Sequence, residues 1–112
     1  MMPGAGKKHG ARHLLEDVVR LAKSAGARYL VETDTDWRAL GLEYEEVFEH
    51  VAALTPRDFY KSTESDLKPG TWLDVYRPFI RTRSFPAGVE VYCKVTISGD
   101  GVVLIVLSFK EA

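Results

Sequence analysis

Apolar residues recur at helical spacing in the first half of the chain and alternate with polar residues in much of the second half. A helix is predicted over residues 13–25, with Gly26 at the position of a C-terminal cap. Its apolar stripe consists of Leu14, Leu15, Val18, Val19, Leu21 and Ala22. A second amphipathic helix is predicted over residues 43–54, with glutamates on its polar side. Its apolar side carries Tyr44, Val47, Phe48, Val51 and Ala52.

Three shorter elements are predicted between and after these helices. Residues 28–33 alternate as in a short strand, and a short helix then runs through Leu40, with Thr35 or Asp36 as its cap. The run Thr-Pro-Arg-Asp at residues 55–58 is a strong helix-start signal, with proline at the first helical position and an acid three residues after the cap. It predicts a further short helix, which carries Phe59, Tyr60 and Lys61.

The rest of the chain is typical of strands. Residues 72–76 form one strand before Pro78, and residues 80–88 form a loop. Residues 89–98 alternate cleanly. The apolar side of that strand carries Val89, Val91, Cys93, Val95 and Ile97, and the polar side carries Glu90, Tyr92, Lys94, Thr96 and Ser98. After a hairpin turn at residues 98–101, residues 102–109 are apolar on both sides, which indicates a central strand covered on both faces.

Helices followed by strands indicate an α+β fold, with N-terminal helices packed on an antiparallel sheet. The length of 112 residues fits one domain, and 46% hydrophobic residues are enough for one core. Residues 1–11 contain three glycines and a proline, so we expect a flexible lead-in to a single domain over residues 12–112.

Charge and cysteine content narrow the class of protein. The formal net charge is −1, with 7 Lys/Arg against 9 Asp/Glu in residues 1–54 and 8 against 7 in residues 55–112, so any basic surface has to be local. The single cysteine, Cys93, excludes an internal disulfide and a cysteine metal cluster. No apolar run approaches the roughly 20 residues of a membrane span. We therefore expect a cytoplasmic protein with no membrane association, no bound metal and no cofactor.

Three blocks of the second half resemble the MqsR (motility quorum-sensing regulator) toxins, which have a RelE-like fold. They are Asp-Phe-Tyr-Lys-Ser at residues 58–62, Trp-Leu-Asp-Val-Tyr-Arg-Pro at residues 72–78, and the final pair of strands. That pair carries Val-Tyr-Cys-Lys-Val-Thr at residues 91–96 and Leu-Ser-Phe-Lys-Glu at residues 107–111. The resemblance covers residues 12 to 112. It implies the toxin of a type II toxin–antitoxin system, a metal-independent and ribosome-independent endoribonuclease that cleaves single-stranded mRNA and inhibits translation.

The resemblance implies that Lys61, Tyr92 and Lys110 are the catalytic residues. Cleavage without a metal requires that the ribose 2′-OH lose a proton, that the crowded phosphate meet positive charge, and that the departing 5′-oxygen gain a proton. The sequence leaves two assignments of these roles open. In the first, a lysine acts as the base, which requires that burial or neighbouring cations lower its pKa. In the second, both lysines stabilise negative charge, and tyrosine or water transfers the protons.

A second set of residues is a candidate for RNA binding. Arginine binds phosphate through two parallel hydrogen bonds, and an aromatic ring can stack on an unpaired base. These candidates are Tyr76, Arg77, Arg81, Arg83 and Lys94. The alternative is that Tyr76 packs in the core and that the cations are ordinary solvated charges.

The family also implies a partner, an MqsA-like antitoxin with a zinc-binding domain and a helix-turn-helix domain, so that any zinc belongs to the partner. One position departs from the family: Leu73 stands where these toxins often have Gln. It keeps an alternative function open, a catalytically weak homologue that acts as an antitoxin- or RNA-binding module.

Overall fold

The computed structural model describes residues 10–31 and 36–112, in which two helices pack on one face of a six-stranded sheet. The helices are α1 (Leu15–Ala22) and α2 (Tyr44–Ala52). The strands are β1 (Arg28–Leu30), β2 (Phe59–Glu64), β3 (Trp72–Tyr76), β4 (Phe79–Ile80), β5 (Val89–Ile97) and β6 (Leu104–Glu111). Short 3-10 turns cover Ala25–Ala27, Asp36–Leu40 and Pro56–Asp58. The predicted α+β class is confirmed.

The strands lie in the order β1-β6-β5-β3-β2, and β4 pairs with the beginning of β5. Every neighbouring pair is antiparallel except β1 and β6, which run parallel. The sheet is therefore mixed, and the prediction of an antiparallel sheet is wrong at this edge. Parallel neighbours require a long crossover, and here the chain from β1 to β6 contains α2 and four other strands. The predicted central position of the last strand is confirmed, since β6 lies between β1 and β5.

One core fills the space between the helices and the inner face of the sheet. The helices contribute Val18, Leu21, Ala22, Val47, Phe48 and Val51, and the last two strands contribute Val91, Cys93, Val95, Leu104, Val106 and Phe109. Cys93 is fully buried, as predicted, and burial raises the pKa of its thiol to about 12. Because residues alternate along β5, Tyr92 and Lys94 lie on the other side of the sheet, which we call the outer face.

Helix α1 is shorter than the sequence predicts at both ends. Leu14 precedes it in an extended conformation, and the backbone N–H groups of Arg12 and His13 donate to the Asp74 carboxylate instead of entering the helix. At the other end α1 stops at Ala22, and Gly26 belongs to a separate 3-10 turn rather than to a cap. The second predicted helix is confirmed with narrower bounds. It begins with a capping box, in which the side chains of Glu43 and Glu46 each accept a hydrogen bond from the backbone N–H of the other.

The predicted helix that carries Phe59, Tyr60 and Lys61 is wrong beyond its first turn. Thr55 and Asp58 do form the expected capping box, and Pro56 does open a helical turn. The turn ends at Asp58, and Phe59–Glu64 is strand β2, which pairs with β3 along its length. Aromatic and β-branched residues favour this pairing, and a capping signal specifies only where a helix begins.

Three predictions fall partly or wholly on residues outside the described ranges. These are most of the flexible lead-in, at residues 1–9, the end of the strand predicted over residues 28–33, and the Thr35 cap. The described part of that strand is confirmed as β1 (Arg28–Leu30). The short helix ahead of Gly41 is confirmed as a 3-10 turn over Asp36–Leu40, and Gly41 follows with a φ of +79°. Neither described helix has the length and apolar character needed to cross a bilayer.

Candidate active site

Tyr92 and Lys110 are direct partners in the pairing of β5 with β6, and Lys94 is paired with Ser108 two residues away. Paired residues share a face of the sheet, so all four side chains lie on the outer face. The ammonium nitrogens of Lys94 and Lys110 each lie 5.8 Å from the centre of the Tyr92 ring. A half-buried phenol is thus flanked by two cations. The sequence predicted Lys110 just past the last strand, whereas it lies within β6.

A shallow depression of about 270 Å³ lies over this pair of strands. Its lining consists of Tyr92, Lys94, Ser108, Lys110, Glu111 and Ala112. The phenol and the Ser108 hydroxyl can donate or accept a hydrogen bond, and the two lysines only donate. The Glu111 carboxylate also lines the depression, and an anion with several acceptor oxygens matches the phenol, the hydroxyl and the two ammonium groups.

Lys61 reaches the same face from the edge of the sheet. The register places Lys61 opposite Val75 on β3, and Val75 opposite Lys94 on β5, so the three form one row across the sheet. Two strand spacings, about 10 Å, separate the backbones of the two lysines. Val75 is fully buried although it lies outside the core between the helices and the sheet. Long side chains of the outer face therefore close over it, as lysine stems commonly do over apolar surface.

Tyr60 belongs to this cluster, although it is not among the residues predicted from the sequence. Phe59 pairs with Tyr76 and Lys61 pairs with Val75, which leaves Tyr60 as the extra residue of a β-bulge. Its exposed ring lies 5.5 Å from the Lys61 ammonium and 5.0 Å from the Arg77 guanidinium. The sequence signal for Tyr60 is its aromatic side chain next to Lys61, but the sequence predicts a helix at these residues and therefore a different orientation.

Arg77 is the one member of the predicted arginine cluster that lies beside the lysines. It forms an ion pair of 3.2 Å with Glu90, which lies on the same side of β5 as Tyr92. The pair is half-exposed, so the guanidinium is neutralised in part and is still accessible from solvent. Four cations, on Lys61, Arg77, Lys94 and Lys110, thus surround two tyrosines on the outer face.

Tyr76 is on the opposite side of β3, and its proposed RNA contact is contradicted by its burial. Its side chain is 1% exposed, its ring packs edge-on against Phe59 at 5.6 Å, and burial raises the pKa of its hydroxyl. Alternation explains the difference, because Val75 and Arg77 occupy the outer face and Tyr76 between them has to point inward.

Arg81 and Arg83 lie beside α2, away from the outer-face cluster. They share a depression with Leu42, Glu46 and His50. Arg83 donates to the Gly41 carbonyl at 2.6 Å and to both oxygens of Glu46, at 2.8 and 2.9 Å. The hydrogen bond from Arg83 lowers the pKa of Glu46 to about 2. Arg83 therefore ties the loop after β4 to the start of α2, and Arg81, which is exposed, does not adjoin Tyr92.

Leu73 continues the outer face of β3 beyond Val75. It pairs with Thr63 of β2 and is 8% exposed. Where MqsR-like toxins often present an amide, this chain presents a buried aliphatic side chain. The polar groups near the row of lysines are accordingly those of β5 and β6 rather than of β3.

A buried carboxylate lies on the inner side of β3, next to Val75 in the chain, and was not predicted from the sequence. Asp74 is fully buried and accepts hydrogen bonds from the backbone N–H groups of Arg12 and His13 and from the Ser62 hydroxyl. An aspartate in the middle of a strand of apolar residues was the available signal. The Arg12 guanidinium also lies 3.6 Å from the centre of the Trp72 ring. This network fixes the segment before α1 to the sheet.

No group of three or more His, Cys, Asp or Glu side chains suited to a metal occurs in residues 10–31 and 36–112. Within the described part of the chain, the polar groups that adjoin Tyr92 are mainly cations and hydroxyls, which bind anions. Chemically, the outer face can hold a phosphodiester and supply a phenolic proton donor or acceptor beside it.

Comparison with known proteins identifies the family. The model of the motility quorum-sensing regulator family, described as the toxin of MqsA, matches residues 11–111. The mRNA interferase toxin MqsR of Escherichia coli strain K12 is 35% identical over 72 residues, which span 64% of this chain and 64% of the relative. The aligned segment thus covers less than two thirds of that toxin. Since the family model covers nearly the whole chain, the protein belongs to the motility quorum-sensing regulator toxin family.

Proposed function

We propose that this protein is the toxin of a type II toxin–antitoxin pair and that it cleaves single-stranded mRNA without a metal or the ribosome. Family membership and the name of the Escherichia coli relative support the class of activity. The observation that carries the proposal is the position of Tyr92 between the ammonium groups of Lys94 and Lys110, beside a depression that suits a phosphate. An endoribonuclease that uses no metal needs this combination of positive charge and a proton-transferring group.

In the proposed reaction the ribose 2′-oxygen attacks the adjacent phosphorus. The bond from O2′ to phosphorus forms, the 2′-OH proton leaves, and the bond from phosphorus to O5′ breaks. The departing O5′ takes up a proton to become a 5′-OH end, and the other product carries a 2′,3′-cyclic phosphate. The negative charge on the non-bridging oxygens is greatest in the transition state, so cations fixed around the phosphate accelerate the reaction.

We assign charge stabilisation to Lys61 and Lys110 and proton transfer to Tyr92, with water as the second proton carrier. Lys110 shares the depression with Tyr92 and can contact the same phosphate. Lys61 lies at the edge of the sheet in the row of Lys94 and suits the next phosphate along the strand. Lys94 and Arg77 then contribute RNA contacts. Arg81 and Arg83 are further from this path, beside α2, and Arg83 is engaged by Glu46.

The partner follows from the family, whose members are described as toxins of MqsA. We propose that an MqsA-like antitoxin with zinc-binding and helix-turn-helix domains inhibits this chain, and that both act in the cytoplasm, where mRNA is translated. The zinc would be held by the antitoxin. Family membership and the name of the relative do not favour the alternative function, a module that binds RNA or antitoxin but cleaves weakly.

Incubation of the purified chain with a long single-stranded RNA in EDTA, without ribosomes, tests the proposal. We expect cleavage whose products carry 2′,3′-cyclic phosphate and 5′-OH ends, which end-specific ligation and mass spectrometry identify. Loss of activity on chelation would contradict the metal-free mechanism. RNA binding without cleavage at micromolar protein would favour the binding module.

A further inference from the structure

Phe79 is an exposed aromatic residue on the outer face, and it lies outside the proposed catalytic residues. Its side chain is 64% exposed, and it pairs with Glu90 in the short contact of β4 with β5. Since paired residues share a face, Phe79 lies on the same side of the sheet as Tyr92. Glu90 and Tyr92 are two residues apart, so the row of Phe79 lies about 7 Å from the row of Tyr92 along β5.

The surroundings of Phe79 hold its ring at the surface. The next residue, Ile80, packs in the core. The side chain that holds β4 against the domain is therefore that of Ile80, and not that of Phe79. Gly88 makes room for the ring: a Cβ at residue 88 would come within 2.2 Å of two of its carbons, and the φ of Gly88 is +109°. The ring therefore rests on a bare stretch of backbone and keeps much of its surface in solvent.

The neighbours of Phe79 are the groups that would bind nucleic acid. Arg77 lies two residues before Phe79 in the chain. It forms its ion pair with Glu90, which is the residue paired with Phe79. Beyond that pair lie the Tyr92 ring and the two lysines that flank it. Exposed aromatic rings along a cationic surface are the usual arrangement for binding single-stranded RNA, because unpaired bases stack on the rings while cations contact the backbone.

We propose that Phe79 stacks on an unpaired base of the RNA, next to the nucleotide whose phosphate lies at Tyr92. The inference rests on the proposed function and deepens it by naming a base-binding subsite. An extended nucleotide spans the separation between the two rows, so one base on Phe79 and one phosphate at Tyr92 belong to adjacent positions of one strand. Stacking on a π-face tolerates any base, so this subsite supplies affinity and positioning rather than a strict sequence preference.

Equilibrium binding of a short 2′-O-methyl RNA, which cannot be cleaved because its 2′-oxygens are blocked, tests the inference. We expect Phe79→Ala to weaken binding roughly 10-fold or more, the usual scale for losing one stacked base. Phe79→Trp should bind at least as tightly as the wild type, while Phe79→Leu, which keeps the apolar character but has no ring, should resemble alanine. Tyr29→Ala is the matched control, since Tyr29 is a half-exposed aromatic on β1 at the far edge of the sheet.

A 2-aminopurine placed at successive positions of the same RNA gives a second readout. Its fluorescence should be quenched by the wild type at one position in particular, and Phe79→Ala should abolish that quenching. On a cleavable RNA the alanine variant should raise KM while kcat at saturation changes little. Unfolding curves that match the wild type exclude a folding defect.

Equal RNA affinity of wild type and Phe79→Ala would overturn the inference, and so would an effect confined to antitoxin binding. A wild type that binds but does not cleave RNA would refute the proposed ribonuclease, whereas the affinity ratio would still decide the role of Phe79. A wild type that neither binds nor cleaves RNA would refute both.

Discussion

Lys61, Tyr92 and Lys110 come from three different strands, and each owes its position to pairing rather than to its neighbours in sequence. Tyr92 and Lys110 face each other directly across β5 and β6, and their separation follows from the register. Lys61 depends in addition on the bulge at Tyr60, because without the extra residue in β2 the alternation would turn Lys61 towards the core. The side chains of this cluster are therefore sensitive to a slip of one residue in either pairing.

Substitution of Lys61 tests its role in the proposed site. We expect Lys61→Ala to lower kcat/KM by about 10- to 100-fold, the scale of one lost charge-assisted hydrogen bond of about 1.5–3 kcal/mol. Lys61→Arg should recover part of the loss because it keeps the charge. Lys68→Ala, an exposed lysine in the turn between β2 and β3, is the control. A Lys61→Ala variant as active as the wild type would remove Lys61 from the mechanism.

Among the elements, β3 contacts the candidate site, the core and the segment before α1. Its outward-facing Val75 lies in the row of Lys61 and Lys94, its inward-facing Tyr76 belongs to the core, and its Asp74 holds the segment before α1. Three donors converge on that one carboxylate, two of them backbone N–H groups. A buried carboxylate stabilises a fold only when hydrogen bonds from the protein replace those that it made to water.

Removal of the Asp74 carboxylate should therefore destabilise the domain. We expect Asp74→Ala to lower the free energy of unfolding by about 3 kcal/mol, because it leaves buried donors without an acceptor. Urea denaturation measures the change, and Asp66→Ala, at an exposed aspartate in the turn before β3, should alter stability by less than about 0.5 kcal/mol. A stability loss no greater for Asp74→Ala than for the control would show that the network contributes little.

The sequence predicted the elements that have a strong period and missed those that depend on partners. β3 and β5 were predicted to within a residue, since alternation and turn residues define them locally. Strand β2 was predicted as a helix because a capping box is a local signal, whereas pairing with β3 is a long-range contact. The parallel edge formed by β1 follows from topology alone and has no counterpart in the local pattern.

The candidate site was predicted in the same uneven way. Resemblance supplied Lys61, Tyr92 and Lys110, and alternation supplied Lys94, all of which lie on the outer face. The three arginines are close in sequence, which predicted a single cluster. Arg81 and Arg83 instead lie beside α2, because the chain turns after Pro78. Tyr60 and Phe79 were missed because a bulge and a two-residue strand determine which way they point.

In the whole molecule, the two faces of the sheet have different roles: one forms the core and the other carries the candidate active site. The inner face packs against both helices, where the glutamates of α2 lie on the solvent side. The outer face brings together four cations, on Lys61, Arg77, Lys94 and Lys110, which explains how a chain with a net charge of −1 can present a local surface suited to RNA. A net charge close to zero conceals this local concentration of positive charge.

The single-turnover cleavage rate of Tyr92→Phe, on an RNA that the wild type cleaves in EDTA, is the most direct test of the assigned active site. Loss of the phenolic hydroxyl should lower the rate about 10²- to 10⁴-fold, the usual contribution of a proton-transferring group, with little change in RNA affinity. Tyr29→Phe, at an exposed tyrosine remote from the cluster, should cleave at the wild-type rate. Cleavage by Tyr92→Phe at the wild-type rate would contradict the proposal that the outer face around Tyr92 is the active site.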